Sequence, residues 1–492
     1  MNVLKNNKSK IIIGVLYFIL FIPVFYSIYY SVPASDDFAM ALGRDAYGNV
    51  VSEFIAAVVF FWTKRGGTIC SFVAEYLINP LNLHVHLGHW YGIYMIIAFI
   101  ICIFLIYMGL KKLVFYVLKD ADYARFASEI ITFLIIFMLI ENYYYVETYN
   151  WYVGMISYAG VMALLFLNIY LTLRFAETGE KSAYVWMIVT GVIVANTSAF
   201  DIPLGAFFVY IVLFNKGFDK FVGSLFKKVL PLLLYIAMGL ITIMAPGNYA
   251  RQSQYTEGVS VGTALRQTVA DVQFFGMAII KERPVTLIIA VMLVLLGFAV
   301  NNKQRKRPGN IILYGIVAVC VWIGCILPYV YGRGMTRTYL DVRMQYVLDY
   351  FIEIGLCIGC VMLGQWIAYI IKVDLSKVAY IATCAVAVLG IAALVVTGRY
   401  ATTVTYEVYA KHADIAASYD LWNGILLEIE NSSDSDVTVD RDYNVSWNKY
   451  FLYSGMEPGE VYAVELDSLY DSQQILPNVY YKKNSITVNY PR

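Results

Sequence analysis

Long apolar runs, broken by short polar clusters, dominate the chain, and period-2 alternation is confined to its end. Runs approaching the ~20 residues a helix needs to cross a bilayer occupy residues 11–31, 90–110, 126–144, 151–173, 184–200, 229–245, 284–300, 311–331, 345–371 and 378–397. A shorter run at 204–215 brings the predicted transmembrane helices to about eleven. Two apolar stretches within 32–89, at 50–62 and 68–78, are too short to span and predict helices lying along the membrane interface. Beyond residue 397 the pattern becomes that of a small α+β module. Val408, Ile415, Tyr419, Trp422 and Leu426 share one helical face, and Val437-Thr438-Val439 and Ile486-Thr487-Val488 read as short strands. The predicted fold class is therefore an all-α polytopic membrane protein over 1–397, with a first outer loop at 32–89 and a small C-terminal α+β domain over 398–492. No solenoid-type repeat is visible, and 431–436 reads as a turn-like linker.

Composition agrees. Of 492 residues 60% are hydrophobic and 14% charged, against roughly 25% charged in soluble domains, which excludes a soluble globule. A net charge of +1 gives no reason to expect nucleic acid as a partner. The basic residues matter through their placement. Lys111, Lys112, Lys119 and Arg125, then Arg174 and Lys181, then Lys216, Lys220, Lys227 and Lys228 fall in alternate loops. Lys303, Arg305, Lys306 and Arg307, and finally Lys372 and Lys377, continue the series. By the positive-inside rule these loops and the N-terminus, with Lys5, Lys8 and Lys10, are cytoplasmic, and the other loops and the tail face outward across the cell membrane. Ser31-Val32-Pro33-Ala34-Ser35 has the look of a signal-peptidase site, but the run before it is long enough to be a retained first span. Cys102, Cys320, Cys325, Cys357, Cys360 and Cys384 lie in apolar segments without metal-type spacing, so neither disulfides nor a zinc ribbon is expected.

The outward segments hold the candidate chemistry. Asp36-Asp37-Phe38 follows the first span closely and sets two carboxylates at the membrane surface, where each raises the other's pKa and one can act as general base toward a hydroxyl. An N-cap role is the plain alternative. Arg65, Arg251, Arg283, Arg333 and Arg337 lie outside against the inside bias, which suits an anion such as a lipid phosphate; snorkelling to headgroups is the alternative. Arg343 closes the last of these loops. Gly247-Asn248 and Arg333-Gly334 add backbone freedom near such an anion. His84, His86 and His89 crowd the end of the first loop but lack the spacing of a zinc enzyme, so polar contact at the interface is preferred. Tyr149, Trp151 and Tyr158 can stack on sugar rings or form a plain aromatic belt, and Glu141, Glu147 and Asp201 at outer helix ends can line a cavity. No phosphate-binding glycine loop, Rossmann glycine pattern or nucleophile elbow is present, which disfavours a soluble nucleotide-activated donor.

In its order of features the chain resembles the GT-C class of integral membrane glycosyltransferases, and within it a family of largely uncharacterised bacterial polytopic proteins. The similar elements are Asp36-Asp37-Phe38, Trp151 with Gly154 and Tyr158, Pro246-Gly247-Asn248 followed by Arg251, and Leu476-Pro477-Asn478-Val479-Tyr480-Tyr481 near the end. They run the length of the chain; each is short, and their order is the more specific feature. The family's Gly-Arg pair near the end of the first loop appears here as Lys64-Arg65-Gly66-Gly67. The resemblance implies transfer of a sugar from a polyprenyl-phosphate donor to an extracytoplasmic cell-envelope glycan or lipid. Asp36 or Asp37 would be the base, with Asp37 preferred and Asp36 as its positioning or metal partner, Arg65, Arg251, Arg333 and Arg337 would hold the donor phosphate, and His84, Trp151, Tyr158 and Asn248 would contact substrate. Paired carboxylates admit a Mg or Mn ion, although other members of the class work without one. A transporter or flippase for lipid-linked saccharides, or a non-catalytic scaffold, are the competing expectations.

Overall fold

The computed structural model describes residues 2–34, 36–41, 49–119, 124–142, 144–197, 200–255, 259–282, 284–333, 340–443, 448–463 and 477–491. Helix α1 (Asn2–Tyr29) leads into a first loop carrying α2 (Asp36–Ala39), α3 (Val50–Phe60) and α4 (Ile69–Leu77). Next come α5 (Trp90–Val117), α6 (Ala124–Ile140), α7 (Tyr145–Tyr149), α8 (Tyr152–Gly154), α9 (Val161–Thr178), α10 (Lys181–Ala195), α11 (Asp201–Phe214) and α12 (Lys216–Val222). The membrane part continues through α13 (Leu225–Ile243), α14 (Pro246–Tyr255), α15 (Val261–Glu282), α16 (Pro284–Gln304), α17 (Ile311–Arg333), α18 (Val342–Ile370) and α19 (Ser376–Val396). Two wider π turns, Phe61–Arg65 and Met155–Gly160, interrupt the regular winding. The tail adds α20 (Val404–Ala410), α21 (His412–Asn431), β1 (Asp436–Asp440), β2 (Val461–Tyr462), α22 (Pro477–Tyr480) and β3 (Ser485–Asn489).

Among the described residues, eight helices are long and apolar enough to cross a membrane, and a ninth results if α11 and α12, bent by 85°, count as one broken span. The chain is thus a helical membrane protein, but with fewer full spans than the eleven expected. The runs at 126–144, 184–200 and 204–215 fold into helices of 17, 15 and 14 residues. At 1.5 Å per residue, 15 residues cover only ~22 Å of the roughly 30 Å core. Side chains at their ends explain the shortness. Asn215 stops α11 by accepting hydrogen bonds from the Gly217 and Phe218 amides, which starts α12 instead (2.9 and 3.2 Å). Asn196, just past α10, turns to Gly67 and Thr242. Within 246–283, read from sequence as a loop, α14 and the 22-residue α15 form; α15 buries Ala264, Thr268 and Asp271 and leaves Leu265, Phe274 and Met277 exposed.

The helix ends gather at two opposite faces. At one, Lys306 and Gln304 reach the Lys119 and Leu118 carbonyls, Gln365 reaches Val117 and Arg305 reaches Lys372. At the other, Glu141 accepts from Val404 and Thr405, Tyr26 donates to the His412 carbonyl, and Gln252 donates to that of Tyr331. This second face carries the first loop and the tail. The predicted strands form: β3 pairs with β1 in parallel and with β2 antiparallel. The tail's core is not its own, because Val32, Phe38, Ala41 and Leu81 of the first loop pack with Trp422, Ile425, Val439 and Ile486.

Without a hydrophobic drive between helices in lipid, close backbone approach carries the packing. Helices α16 and α18 show it. A Cβ on Gly297 would stand 2.2 Å from the Val361 carbonyl oxygen, and one on Gly364 would stand 2.0 Å from that of Val294. Replacing Gly364 by Val should therefore force the pair apart and cost about 1–3 kcal/mol or more. Gly315, whose added methyl would meet nothing within 4 Å, should tolerate Ala without effect. Thermal unfolding of both variants in detergent checks the contrast.

Candidate functional site

The site is built where α1 ends. The chain turns through buried Ser31, Val32 and Ala34 and starts the short α2, whose first two residues are the acid pair. Asp37 is fully buried. Its Oδ2 accepts from the Ala34 amide (3.0 Å) and the Tyr91 hydroxyl (2.8 Å), and its Oδ1 accepts from the Val153 amide (3.2 Å). Asn79 donates to the Asp37 carbonyl (3.0 Å), Tyr91 in turn accepts from the Tyr152 amide (3.0 Å), and the Trp151 indole donates to Ala34 (3.1 Å). One carboxylate therefore ties the start of α2 to α5 and α8. Burial pushes its pKa up to about 7, against the two amides and the hydroxyl that favour the anion.

Asp36, one residue earlier, is only half-buried. Its charge acts on Glu75 of α4 and Arg343 of α18, and Glu75 in turn meets the π turn at Met155–Gly160 through Ser157. Glu75 is buried and is hydrogen-bonded by the Ser157 hydroxyl, while the Tyr152 hydroxyl donates to its carbonyl (3.1 Å). Burial foremost, then the nearby charges of Asp36 and Asp37, pushes the Glu75 pKa up to about 8, against Ser157 and Arg343. Arg343 lies over the Trp151 ring (4.8 Å) and near that of Tyr158 (6.0 Å), and pairs with Glu147 (3.4 Å) and Asp341 (3.2 Å). π turns recur at functional sites because they re-aim side chains within a helix; this one presents Ser157 and Tyr158.

A second cluster adjoins the first. The π turn at Phe61–Arg65 brings Lys64 and Arg65 to Gly66-Gly67, and a Cβ on Gly67 would stand 2.0 Å from the Thr242 carbonyl oxygen. A Cβ on Gly247 would lie 2.6 Å from the Arg65 and Gly66 amide nitrogens, so the start of α14, with Asn248 and then Arg251, packs on the same turn. Asn248 itself donates to the Thr242 and Ile243 carbonyls (2.6 and 3.3 Å) and closes the end of α13. Helix α4 links the clusters. Its Cys70 amide donates to Asn196 beside Gly67 (2.6 Å), and Glu75 follows about 8 Å further by helix rise.

Of the residues singled out in the sequence, Asp36, Asp37, Trp151 and Tyr158 come together, and Arg65, Asn248 and Arg251 form the second group. His84 sits apart on an exposed turn with left-handed backbone (φ 53), next to His86, which faces Glu430 (3.6 Å) and Tyr480 of the tail. The Arg333 side chain, and Arg283, Arg337 and Leu476 altogether, lie outside the described residues. Among the described residues no three His, Cys, Asp or Glu side chains converge as a metal site requires, and Asp37 has its oxygens turned to three donors, so the donor set does not fit a Mg or Mn ion. Sequence reasoning missed Glu75, Ser157 and the distinct place of Arg343. A lone acid within the apolar stretch 68–78 was the available signal for Glu75. Comparison of the chain with protein-family models, curated proteins and solved structures finds no match.

The two aspartates should separate by stability. Asp37→Asn turns an amide NH2 toward a donor and should cost about 1–3 kcal/mol, whereas Asp36→Asn should stay within about 0.5 kcal/mol of wild type. Thermal or denaturant unfolding in detergent measures both; equal losses would break the distinction.

Proposed function

We propose that the chain is a GT-C-type glycosyltransferase that moves a sugar from a polyprenyl-phosphate donor to an acceptor hydroxyl on an extracytoplasmic cell-envelope glycan or lipid. The observation that carries this reading is a half-buried carboxylate, Asp36, whose charge acts on Glu75 near one end of the short α4, with the basic turn Lys64-Arg65 at the other end of that helix. In the reaction the acceptor oxygen bonds to the anomeric carbon as its proton passes to Asp36. The bond from that carbon to the lipid phosphate breaks, and the phosphate leaves with the electron pair. Lys64, Arg65 and Arg251 meet the charge that grows there. Asp37, turned to three internal donors, holds the loop rather than the proton, which reverses the roles first expected of the pair. With the lysine-rich face toward the cytoplasm, the first loop and the tail are outside, where a flipped lipid-linked donor is accessible.

A lipid donor is also supported by a mostly apolar groove of about 500 Å³ between α11, α13 and α17, lined by Ile202, Leu232, Ile236, Leu240 and Ile243 together with the carboxyl-bearing Asp201. Its Ile243 end adjoins Thr242, the residue against which Gly67 packs. An isoprenoid chain in this groove would bring its phosphate to the basic turn.

The full chain, reconstituted with lipid-linked sugars and envelope acceptor, should transfer sugar, and Asp36→Asn should lower the rate by about 10²-fold or more. The Arg65→Ala and Arg251→Ala variants should raise the KM for the lipid donor. Unchanged transfer by Asp36→Asn would remove the assignment, and movement of intact donor across the bilayer without loss of the sugar linkage would replace transfer with transport.

A further inference from the structure

Glu75 has no part in the transfer step above, yet its surroundings are unusual. Every element packed around it brings polar or charged groups. Helix α2 contributes Asp36 and Asp37, the π turn at 155–160 contributes Ser157 and Tyr158, and α18 contributes Arg343. Helix α3 carries Glu53, and the turn before α4 carries Lys64 and Arg65. Three carboxyl groups, Asp36, Asp37 and Glu75, thus act on one another beside a guanidinium that already pairs with Glu147 and Asp341.

Full ionisation of all three would place uncompensated charge in a poorly hydrated pocket. The three carboxyls are not equivalent. Asp37 accepts from three donors, which is the setting of an anion. Asp36 is half-buried, the least enclosed of the three. Glu75 is 3% exposed and is met by a single hydroxyl, that of Ser157, which can accept as well as donate. The proton therefore belongs on Glu75.

Resting on the transferase reading, we infer that Glu75 is a positioning residue of this site: buried on Ser157 and within reach of the charge of Asp36, it is held as a neutral carboxyl, so that the site can admit an anionic phosphate donor with Asp36 as base. When Glu75 loses its proton, a second negative charge appears close to the path of the donor and repels it. The burden falls on donor binding, not on the chemical step. Its raised pKa, about 8, sets the alkaline side of the activity.

Two measurements on the full chain test this, using wild type and Glu75→Gln, whose amide keeps the shape and neutrality of the protonated acid. In transfer assays, wild-type KM for the lipid donor should rise about tenfold per pH unit above about pH 8 with kcat steady. Glu75→Gln should match wild type within about threefold at pH 7 and lose that alkaline rise. An unchanged alkaline rise in Glu75→Gln, or transfer abolished by it at every pH although the protein folds, would overturn the inference. The second measurement does not depend on activity. The infrared difference between wild type and Glu75→Gln should contain a protonated-carboxyl carbonyl band at pH 7 that disappears above about pH 8; absence of the band at pH 7 would also overturn it. If no form transfers sugar but the band titrates as stated, the transferase reading fails and the protonation of Glu75 stands.

Discussion

The buried carboxylate of Asp37 is the constraint on which the arrangement of this face depends. Its three donors come from separate parts of the chain: the turn after α1, the start of α5 and the start of α8. An ionised group without solvent is tolerated only when its lone pairs are met by donors. Each donor is therefore held in place by a penalty for leaving it. Tyr91 carries the constraint one step further by bonding the Tyr152 amide, which orients the π turn that presents Ser157 and Tyr158. Burial, against that hydrogen bonding, pushes the Asp37 pKa up to about 7.

Around that anchor the three residues of the Asp-Asp-Phe motif separate in role. Asp36 faces the pocket, Asp37 fastens the loop to the bundle, and Phe38 is fully buried against Tyr480 and Tyr481 of the tail at ring separations of 5.9 and 5.8 Å. The tail is thereby coupled to the site through a neighbour of its acids. A second tie runs in parallel, with the His89 ring stacked between Tyr29 of α1 and Tyr419 of α21 at 4.1 and 4.5 Å. Aromatic contacts of this kind add about 0.5–1.5 kcal/mol each beyond burial. A shift of the tail would therefore be felt at both ends of the loop segment that contains the acids.

Hydropathy made most of the bundle legible because it sums over many residues, and errors at single positions average out. The helix ends were less legible. Asn215 ends one helix by capping the next through the Gly217 and Phe218 amides, a local signal outweighed by the apolar run around it, whereas Asn196 turns to Gly67 and Thr242, which no window of local sequence contains. The tail strands and the apolar face of α21 were visible because each is periodic over a short range, but sharing a core with the first loop is a property of tertiary structure. At the site, the acid pair stood out by position. Its division of labour did not, since two adjacent carboxylates look alike until one of them meets Tyr91 and Val153. Arg343 was one of several outward arginines, and only its seat over Trp151 sets it apart.

Close backbone contacts fix the distance between the two clusters. Gly67 lies against Thr242 and Gly247 against the Arg65 and Gly66 amides, so the basic turn is pinned to the C-terminal end of α13 with no side chain between. From that fixed point α4 runs to Glu75, and a helix is the stiffest short connector a chain can build. Its rise is about 8 Å from Cys70 to Glu75, which sets the two clusters a fixed distance apart. Flexible loops at the same positions would leave the separation of the two clusters free to vary, whereas a site that acts by positioning is sensitive to shifts of even ~1 Å. Glycine, usually a source of freedom, here removes it: by letting two backbones touch, it turns the first loop from an interfacial flap into a rigid part of the bundle.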